Sequence, residues 1–343
     1  MRTLAVLLLF YTSASGENLE VRLHPWPQID HQGAVSLSFD DAYPSHCQVA
    51  MPLLEQHGFR GTFYVVVDKL RQQNKYRFVD SLPLKTWQNA EQRGHEIGSH
   101  TMSHTNLQEA DILQKQTELY FSKFVLDVLF QQEQTTSLSY PHSGVDDSVI
   151  DAARNFYTSG RVGSIKAQRP FYNDPAQLDF FRLQSRFLCS GEKYAEWNEL
   201  VDQTLAAGGW LIETLHPLDE NGYCEIRALA FERHLDYLRL LDNAVWVAPV
   251  GQVAERIYHW RQSQVKAVPL NEQAYHLLRE SPGKSHHWQV SIAINNPRDW
   301  RLVDNKGRAY PFRAINRQFN FTWPASAGNS LLLIKRADGG RTP

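Results

Sequence analysis

Cysteine is scarce in this sequence: only Cys47, Cys189 and Cys224 occur in 343 residues. So few cysteines exclude a small scaffold held together by several disulfides. A pair between Cys189 and Cys224 would leave Cys47 free, although sequence alone does not decide the connectivity. No base is evident for Cys47, which favours a small buried hydrophobic residue over a nucleophile.

An excess of charge of one sign is also lacking. The chain has 35 basic and 37 acidic residues, for a formal net charge of −2. It contains no long block of lysine and arginine that would follow a phosphate backbone. We therefore expect no nucleic acid among its partners.

Long apolar runs are missing as well, because no stretch reaches the roughly 20 residues that a helix needs to span a bilayer. Near its N-terminus the chain has a basic residue, Arg2, followed by an apolar stretch at 4–10 and small residues at 14–16. This pattern is typical of a cleaved signal peptide over 1–16, and the short run makes a membrane anchor the weaker alternative. We expect a mature chain that begins near Glu17, has no stable membrane span and is secreted or periplasmic.

What the chain does contain is enough apolar material for a large core, with 42% hydrophobic and 12% aromatic residues. One large domain and a smaller one are expected. In the first part, amphipathic helical segments alternate with strand-like apolar segments at 34–39, 61–67, 137–140, 210–215 and 245–248. Such alternation implies parallel strands, either in a barrel or in an open doubly wound sheet.

The pattern changes after about residue 264. Turn signals there separate short predicted strands at 289–294, 300–303, 318–323 and 330–334. This predicts a small all-β domain over 265–343, carbohydrate-binding or structural in role. Trp288, Trp300 and Trp323 could form a sugar-stacking face of this domain or belong to its core.

Two short segments carry most of the chemistry: Ser-Phe-Asp-Asp at 38–41 and His-Thr-Met-Ser-His at 100–104. If the second segment forms a helical turn, His100 and His104 lie on one face and can chelate one ion. Asp41 would supply a third ligand. Three ligands of mixed nitrogen and oxygen type leave room for water and substrate, as in catalytic rather than structural sites.

Asp40 is the candidate base beside this ion. A bound divalent ion lowers the pKa of water towards 7, provided that a nearby group accepts the proton. Adjacent strand residues point to opposite faces, so Asp40 and Asp41 converge only where the strand ends. Taken singly, an Asp pair is usually a solvated strand end, and two histidines four apart are usually surface residues. Only the combination predicts metal-assisted hydrolysis.

These residues resemble the polysaccharide deacetylases, the NodB-like domains of carbohydrate esterase family 4. Residues 38–41 match the family's first motif and residues 100–104 its second. Its third motif is met only in part by Ser-Tyr-Pro-His-Ser-Gly at 139–144, and its late leucine and histidine motif by residues 215–216. The resemblance covers roughly residues 34–261.

The resemblance implies roles for individual residues. Asp40 would be the general base and His216 the general acid. Asp41, His100 and His104 would bind a divalent ion, usually zinc.

Around this centre, the resemblance also implies substrate contacts. Tyr140, Pro141 and His142 would form the wall of the groove, and Leu215 would line the acetyl pocket. The backbone N–H near His142 would help to hold the oxyanion.

The sequence departs from the family at the third motif, because no arginine precedes Pro141 to hold the catalytic aspartate. Arg161 is our candidate replacement, and Asp179 is a weaker candidate for tuning His216. A surface position is the alternative for each of them. His142 stands where the motif often has tyrosine, which leaves the choice of substrate open.

We therefore expect a signal peptide, then an irregular (β/α) barrel of the NodB-like type over 17–264, with its site at the carboxyl ends of the strands. A small sandwich-like β domain follows. The expected activity is secreted, metal-dependent removal of N-acetyl groups from a polysaccharide or oligosaccharide containing N-acetylglucosamine, such as chitin or a cell-wall glycan. An O-acetyl esterase acting on acetylated xylan and a non-catalytic glycan-binding protein are the alternatives.

Overall fold

The chain folds into two compact units in a computed structural model. One unit spans Asp30–Tyr258, and the other combines residues up to Ile29 with residues from His259 onward. The structure describes residues 19–70, 82–131, 136–164, 171–189, 191, 193–281 and 287–336. The signal peptide predicted over 1–16 lies outside these residues.

Strands and helices are numbered in chain order over the described residues. The strands are β1 (Glu20–His24), β2 (Gly33–Asp40), β3 (Thr62–Val65), β4 (Glu96–Ser99), β5 (Ser137–Ser139), β6 (Ser159–Ser164), β7 (Leu183–Phe187), β8 (Trp210–Leu215), β9 (Val245–Val247), β10 (Gln264–Asn271), β11 (Ala274–Glu280), β12 (Trp288–Ala293), β13 (Trp300–Val303), β14 (Ala309–Tyr310), β15 (Arg313–Ile315), β16 (Gln318–Trp323) and β17 (Ser330–Lys335). The α-helices are α1 (Met51–Gln56), α2 (Leu84–Gln92), α3 (Ile112–Leu129), α4 (Asp147–Ala153), α5 (Tyr194–Ala207), α6 (Ala228–Leu240) and α7 (Val250–Arg261).

The larger unit is a closed barrel of parallel strands. Strands β2 to β8 pair in the order in which they occur, and β8 closes the ring by pairing with β2. Strand β9 pairs with the start of β2. Both β2 and β8 are buried along their whole length, as is usual for parallel strands covered on both faces. The predicted irregular barrel is confirmed, and the open sheet is excluded.

Two strands of the barrel, β6 and β7, lack the apolar pattern by which β2, β3, β5 and β8 were predicted. Strand β6 reads Ser-Gly-Arg-Val-Gly-Ser, and β7 reads Leu-Gln-Ser-Arg-Phe. They are held by parallel pairing on both sides, β6 with β5 and β7, and β7 with β6 and β8. Tertiary pairing, rather than local preference, makes these segments strands.

The smaller unit is an antiparallel β-sandwich. Its two sheets have the strand orders β1-β12-β16-β15 and β10-β11-β17-β13-β14, and their inner faces share one apolar core. Trp288, Trp300 and Trp323 are buried in that core, with exposed fractions of 0%, 6% and 0%. These tryptophans therefore do not form the sugar-stacking face that the sequence left open.

The first strand belongs to this smaller unit, which differs from the boundary expected at 17–264. Strand β1 pairs with β12 in antiparallel fashion, with Glu20 opposite Ala293. Val21 and Leu23 pack against the core of the sandwich. The pairing joins segments about 270 residues apart, so nothing local in the sequence marks it.

Over the residues that the structure describes, no helix has both the length and the apolar character needed to cross a membrane.

Candidate active site

The carboxyl ends of the barrel strands bring the predicted motifs together, because parallel strands in a barrel all end at one face. Strand β2 ends at Asp40, β4 at Ser99, β5 at Ser139 and β8 at Leu215. Each predicted motif therefore lies at the end of a strand or in the residues that follow it. A cavity of about 730 Å³ opens there, a size typical of ligand sites. Its lining comprises Asp40, Asp41, His100, His104, Tyr140, His142, Ser143, Arg161, Gly163, Ser164, Phe187, His216 and Tyr223.

Asp40 is a buried carboxylate with two hydrogen-bond donors. Its Oδ1 accepts from Nη2 of Arg161, and its Oδ2 accepts from Oγ of Ser139 at 3.2 Å. Burial alone would raise the pKa of Asp40, but the charge of Arg161 and, secondarily, those of His100 and His216 outweigh it. The pKa therefore lies well below its usual value, and Asp40 is ionised at neutral pH.

Arg161 makes the contact with Asp40 expected of a replacement arginine. Its side chain is 1% exposed, which excludes the surface position left open by the sequence. Arg161 on β6 lies directly opposite Ser139 on β5, so the guanidinium reaches Asp40 from the neighbouring strand. The guanidinium also lies 4.8 Å from the centre of the Tyr64 ring, and its Nη1 donates to Ser185 at 3.3 Å.

Asp41, His100 and His104 form a group that could hold a metal ion. One ligand atom from each lies within 4.8 Å of the other two. Oδ1 of Asp41 is 3.2 Å from Nε2 of His104 and 3.8 Å from Nε2 of His100. Two imidazoles and one carboxylate are donors that suit zinc and leave further coordination positions open.

The hydrogen bonding of His100 and the pKa of His104 also fit a divalent ion. Nδ1 of His100 lies 2.8 Å from the carbonyl oxygen of Ser139 and donates to it, which directs Nε2 towards Asp41 as the atom that would bind a metal. Burial and the nearby charge of His100 lower the pKa of His104 to about 4. His104 is therefore neutral at neutral pH, as a metal ligand must be.

The loop between these histidines is not the helical turn expected from their spacing. Thr101 and His104 have left-handed backbone conformations, with φ of 64° and 66°. The N–H of His104 donates to Oγ1 of Thr101 at 3.2 Å, so Thr101 braces the loop from within. The loop turns back on itself and places the His100 and His104 rings 4.8 Å apart. Left-handed residues other than glycine are uncommon and concentrate at functional sites.

His216 lines the same cavity as the metal group and Asp40. It is 5% exposed, and its ring stands edge-on to those of Phe187 and Tyr223, at 5.4 and 5.0 Å between centres. Burial lowers the pKa of His216, although the negative charge of Asp40 partly offsets this. A protonated His216 would therefore release its proton readily.

Other candidate residues lie elsewhere. Leu215 is wholly buried in the apolar core, and Pro141 is buried behind the turn that carries His142. Because adjacent residues at a strand end point to opposite faces, Leu215 points away when His216 enters the cavity. Neither Leu215 nor Pro141 lines the cavity, whereas Tyr140 and His142 do.

Asp179 does not tune His216. Its side chain is 41% exposed and lies 3.8 Å from both Arg154 and Arg182. The carboxylates that act on His216 are instead Asp40 and Asp41.

Several residues of the site carry no recognisable sequence signal. Nζ of Lys69 donates to the carbonyl oxygen of Asp41 at 2.9 Å and lies 3.7 Å from its Oδ1. The ring of His46 is buried, and its Nε2 donates to the carbonyl oxygen of His216 at 2.9 Å. These contacts fix the backbone of a metal-ligand candidate and of the candidate acid, and neither residue belongs to a motif.

A disulfide lies beside the cavity. Cys189 and Cys224 are bonded to each other, which confirms the pairing that the sequence allowed. The bond links the segment after β7 to the loop after β8, immediately next to Tyr223. Cys47 is free, and burial raises the pKa of its thiol to about 12, so it is unsuited to act as a nucleophile.

Comparison with known proteins agrees with this geometry. Residues 28–158 match the family profile described as polysaccharide deacetylase. The match covers less than half of the chain, and this segment is similar to the polysaccharide deacetylases. The matched segment contains Asp40, Asp41, His100 and His104, but Arg161 and His216 lie beyond it. The positions of Arg161 and His216 in the candidate site are therefore known from the structure alone.

Individual relatives cover only part of the chain. The candidate polysaccharide deacetylase YxkH of Bacillus subtilis (strain 168) is 30% identical over 119 residues, which are 35% of this chain and 40% of YxkH. A gellan lyase of Bacillus sp. is 27% identical over 142 residues, 41% of this chain and 5% of the lyase. The chain thus spans less than half the length of either curated relative.

The fold has a counterpart among solved structures. A candidate polysaccharide deacetylase from Mycobacterium smegmatis superimposes with a TM-score of 0.51 and 17% sequence identity. The match covers 71% of this chain and 95% of that one. At this identity the comparison supports a shared fold.

Proposed function

We propose that this chain is a metal-dependent hydrolase that removes acetyl groups from N-acetylglucosamine units of a polysaccharide or oligosaccharide. The observation that carries the proposal is the grouping of three kinds of residue around one cavity. These are the metal group of Asp41, His100 and His104, the ionised carboxylate of Asp40, and the imidazole of His216.

Each of these residues has a distinct part in the proposed reaction. Asp41, His100 and His104 would hold a divalent ion, which supplies a Lewis acid that activates water and polarises the acetyl carbonyl. Asp40 accepts the proton of the attacking water, and His216 gives a proton to the departing amine. The turn that carries His142 borders the cavity, so its backbone N–H is the candidate donor to the oxyanion.

Asp40 is suited to the role of base by its contacts. Each of its oxygens accepts one hydrogen bond, from Arg161 and from Ser139, whereas a carboxylate has about four acceptor positions in all. Asp40 therefore keeps capacity for a water molecule. Arg161 fixes the orientation of the carboxylate and keeps it ionised.

Export is part of the proposal. The bond between Cys189 and Cys224 supports it, because disulfides persist in oxidising compartments such as the periplasm and the extracellular medium. The signal-like segment over residues 1–16 points in the same direction.

Acetate release tests the proposed function. We expect the zinc-loaded protein to release acetate from chitin oligomers, with products that have lost single acetyl groups by mass spectrometry. Chelation of the metal should abolish release, and added zinc should restore it, because the ion activates the attacking water. Acetate release from acetylated xylan but not from chitin oligomers would show an O-acetyl esterase instead of an N-deacetylase. Tight glycan binding without release by the metal-loaded protein would show a binding protein.

Tyr223 should contribute to substrate binding. Its side chain is 54% exposed and borders the cavity next to His216, so its ring can pack against a sugar. Tyr223→Ala should raise KM for chitin oligomers about tenfold, which corresponds to about 1.4 kcal/mol, and leave kcat nearly unchanged. Tyr223→Phe keeps the ring and is the matched control. An unchanged KM in the alanine variant would show that the sugar does not contact this ring.

A further inference from the structure

A buried carboxylate outside the cavity holds the loop that carries His104. Glu118 lies on α3 and is 6% exposed. Its Oε2 accepts from the backbone N–H groups of Met102 and Ser103, each at 2.9 Å. Its Oε1 accepts from the hydroxyls of Ser103 and Thr105, at 2.5 and 3.2 Å. Four hydrogen bonds from three loop residues thus converge on one carboxylate.

Three of these contacts come from residues between the two histidines of the metal group, and the fourth comes from Thr105, directly after His104. His100 follows β4 directly, and its ring is fixed by the carbonyl oxygen of Ser139. For the ring of His104, no hydrogen bond to Nδ1 is found among the described residues, and its Nε2 faces Asp41. The ring of His142 stands edge-on to it at 4.6 Å between centres, and otherwise the direction of the His104 ring depends on the backbone of the loop.

That backbone is in an unfavourable conformation that needs outside support. Thr101 and His104 are both left-handed without being glycine, and each such residue costs roughly 1–3 kcal/mol unless its surroundings hold it in place. The Oγ1 of Thr101 supplies one contact within the loop. Glu118 supplies the four contacts that join the loop to a regular helix.

We propose that Glu118 is a positioning residue for the metal site. Its carboxylate holds residues 102–105 so that the ring of His104 points towards Asp41 and His100. The inference rests on the proposed metal site. It goes further by assigning a role to a residue on α3 that belongs to none of the recognised motifs. Partners that orient metal ligands typically contribute 10- to 100-fold to metal affinity.

Glutamine is the informative substitution at this position. It has nearly the same shape as glutamate, but one carboxylate oxygen becomes an NH2 group, which donates and cannot accept. The amide oxygen would keep the bonds from the two backbone N–H groups, and the NH2 group would face the hydroxyls of Ser103 and Thr105, which would have to turn and accept. All four contacts would lose the carboxylate charge that strengthens them, so the hold on the loop that directs His104 would weaken, while α3 would keep a side chain of the same size.

The experiment compares Glu118→Gln with Glu109→Gln. Glu109 is exposed, and its carboxylate accepts from Asn106 at 2.8 Å, so the control makes the same chemical change near the same loop. The dissociation constant for zinc is measured by competition with a chromophoric chelator, at a temperature where circular dichroism shows all proteins folded. The Tm of each protein is also measured after its metal has been removed with a chelator.

We expect the zinc dissociation constant of Glu118→Gln to rise about 10- to 100-fold, and that of Glu109→Gln to stay within about twofold. Excess zinc should bring the acetate release of Glu118→Gln back towards the wild-type rate. A folded Glu118→Gln protein with wild-type zinc affinity, even with a lower Tm, would overturn the proposal, since Glu118 would then serve stability alone.

If Glu118→Gln does not fold, substitutions of the loop residues that donate to Glu118 provide the same test. The double variant Ser103→Ala and Thr105→Val removes both hydroxyl donors to Oε1 and leaves Glu118 in place. Its zinc dissociation constant should rise several-fold, and an unchanged constant would overturn the proposal. Wild-type protein that binds zinc but releases no acetate would contradict the proposed function, whereas the zinc affinities would still decide the role of Glu118.

Discussion

Replacing Asp40 with asparagine should lower kcat for acetate release by about 10²- to 10⁴-fold and leave zinc affinity within a few-fold of wild type. Asparagine has the size of aspartate but cannot accept the proton of the attacking water. The metal group of Asp41, His100 and His104 does not include the substituted side chain. The expected result is thus a protein that binds zinc but barely turns over.

The neighbouring carboxylate provides the matched control. Asp41→Asn should lose zinc affinity and activity together, because it removes the charged oxygen ligand. Both variants are measured by zinc competition and by acetate release at saturating zinc. If Asp40→Asn loses the metal and Asp41→Asn keeps it, the roles proposed for the pair are reversed. Full activity of Asp40→Asn would reject Asp40 as the base.

Replacing Arg161 with methionine should destabilise the metal-free protein, prepared with a chelator, by about 3–5 kcal/mol near pH 8. The reason is that the buried carboxylate of Asp40 would lose its charged partner. In the wild type, the pKa of Asp40 is depressed. The pair therefore stabilises the fold above the pKa of unfolded Asp40, and this contribution is lost as pH falls through the folded pKa. Without Arg161, burial raises the pKa of Asp40, so the deficit should shrink as pH falls and Asp40 takes up a proton.

Urea unfolding at pH 5 and pH 8 measures this effect. The variants are Arg161→Met and the double variant Asp40→Asn with Arg161→Met, both compared with wild type. The double variant should recover part of the lost stability at pH 8, since it contains no unpaired buried charge. A loss below about 1 kcal/mol for Arg161→Met would match an exposed ion pair and contradict the buried one described above.

Two of the three metal-ligand candidates, Asp41 and His100, could be placed from the sequence because their position depends on a general property of parallel strands. Asp41 follows β2 and His100 follows β4, and such ends meet at one face of a barrel. The backbone between His100 and His104 could not be predicted from their spacing. A spacing of four residues is compatible with a helical turn. The directions of the two rings depend instead on left-handed backbone conformations at Thr101 and His104.

The contact between Arg161 and Asp40 could not be derived from the sequence pattern around Arg161. Its strand has two glycines and a single valine, so no apolar alternation marks it as a strand. The register of β6 against β5, with Arg161 opposite Ser139, puts the guanidinium beside Asp40. A compensation between neighbouring strands is visible in three dimensions and not along the chain.

The tryptophans of the β unit illustrate a different limit. Trp288 and Trp323 lie opposite each other on paired strands, and both are fully buried. The sequence shows that aromatic residues recur in this region, but their orientation depends on which face of each strand meets the second sheet. The same sequence pattern therefore fits tryptophans that pack in the core and tryptophans that bind a ligand, and only the packing of the two sheets distinguishes them.

The pairing of β1 with β12 affects the order in which the chain can fold during synthesis. The barrel is made from the continuous stretch Asp30–Tyr258, so all its strands leave the ribosome before β12 does. Residues 20–24 must wait, with an unpaired edge, until Trp288–Ala293 has been made. Removing the first strand would thus damage the unit that is synthesised last, although the cut is made at the end that is synthesised first.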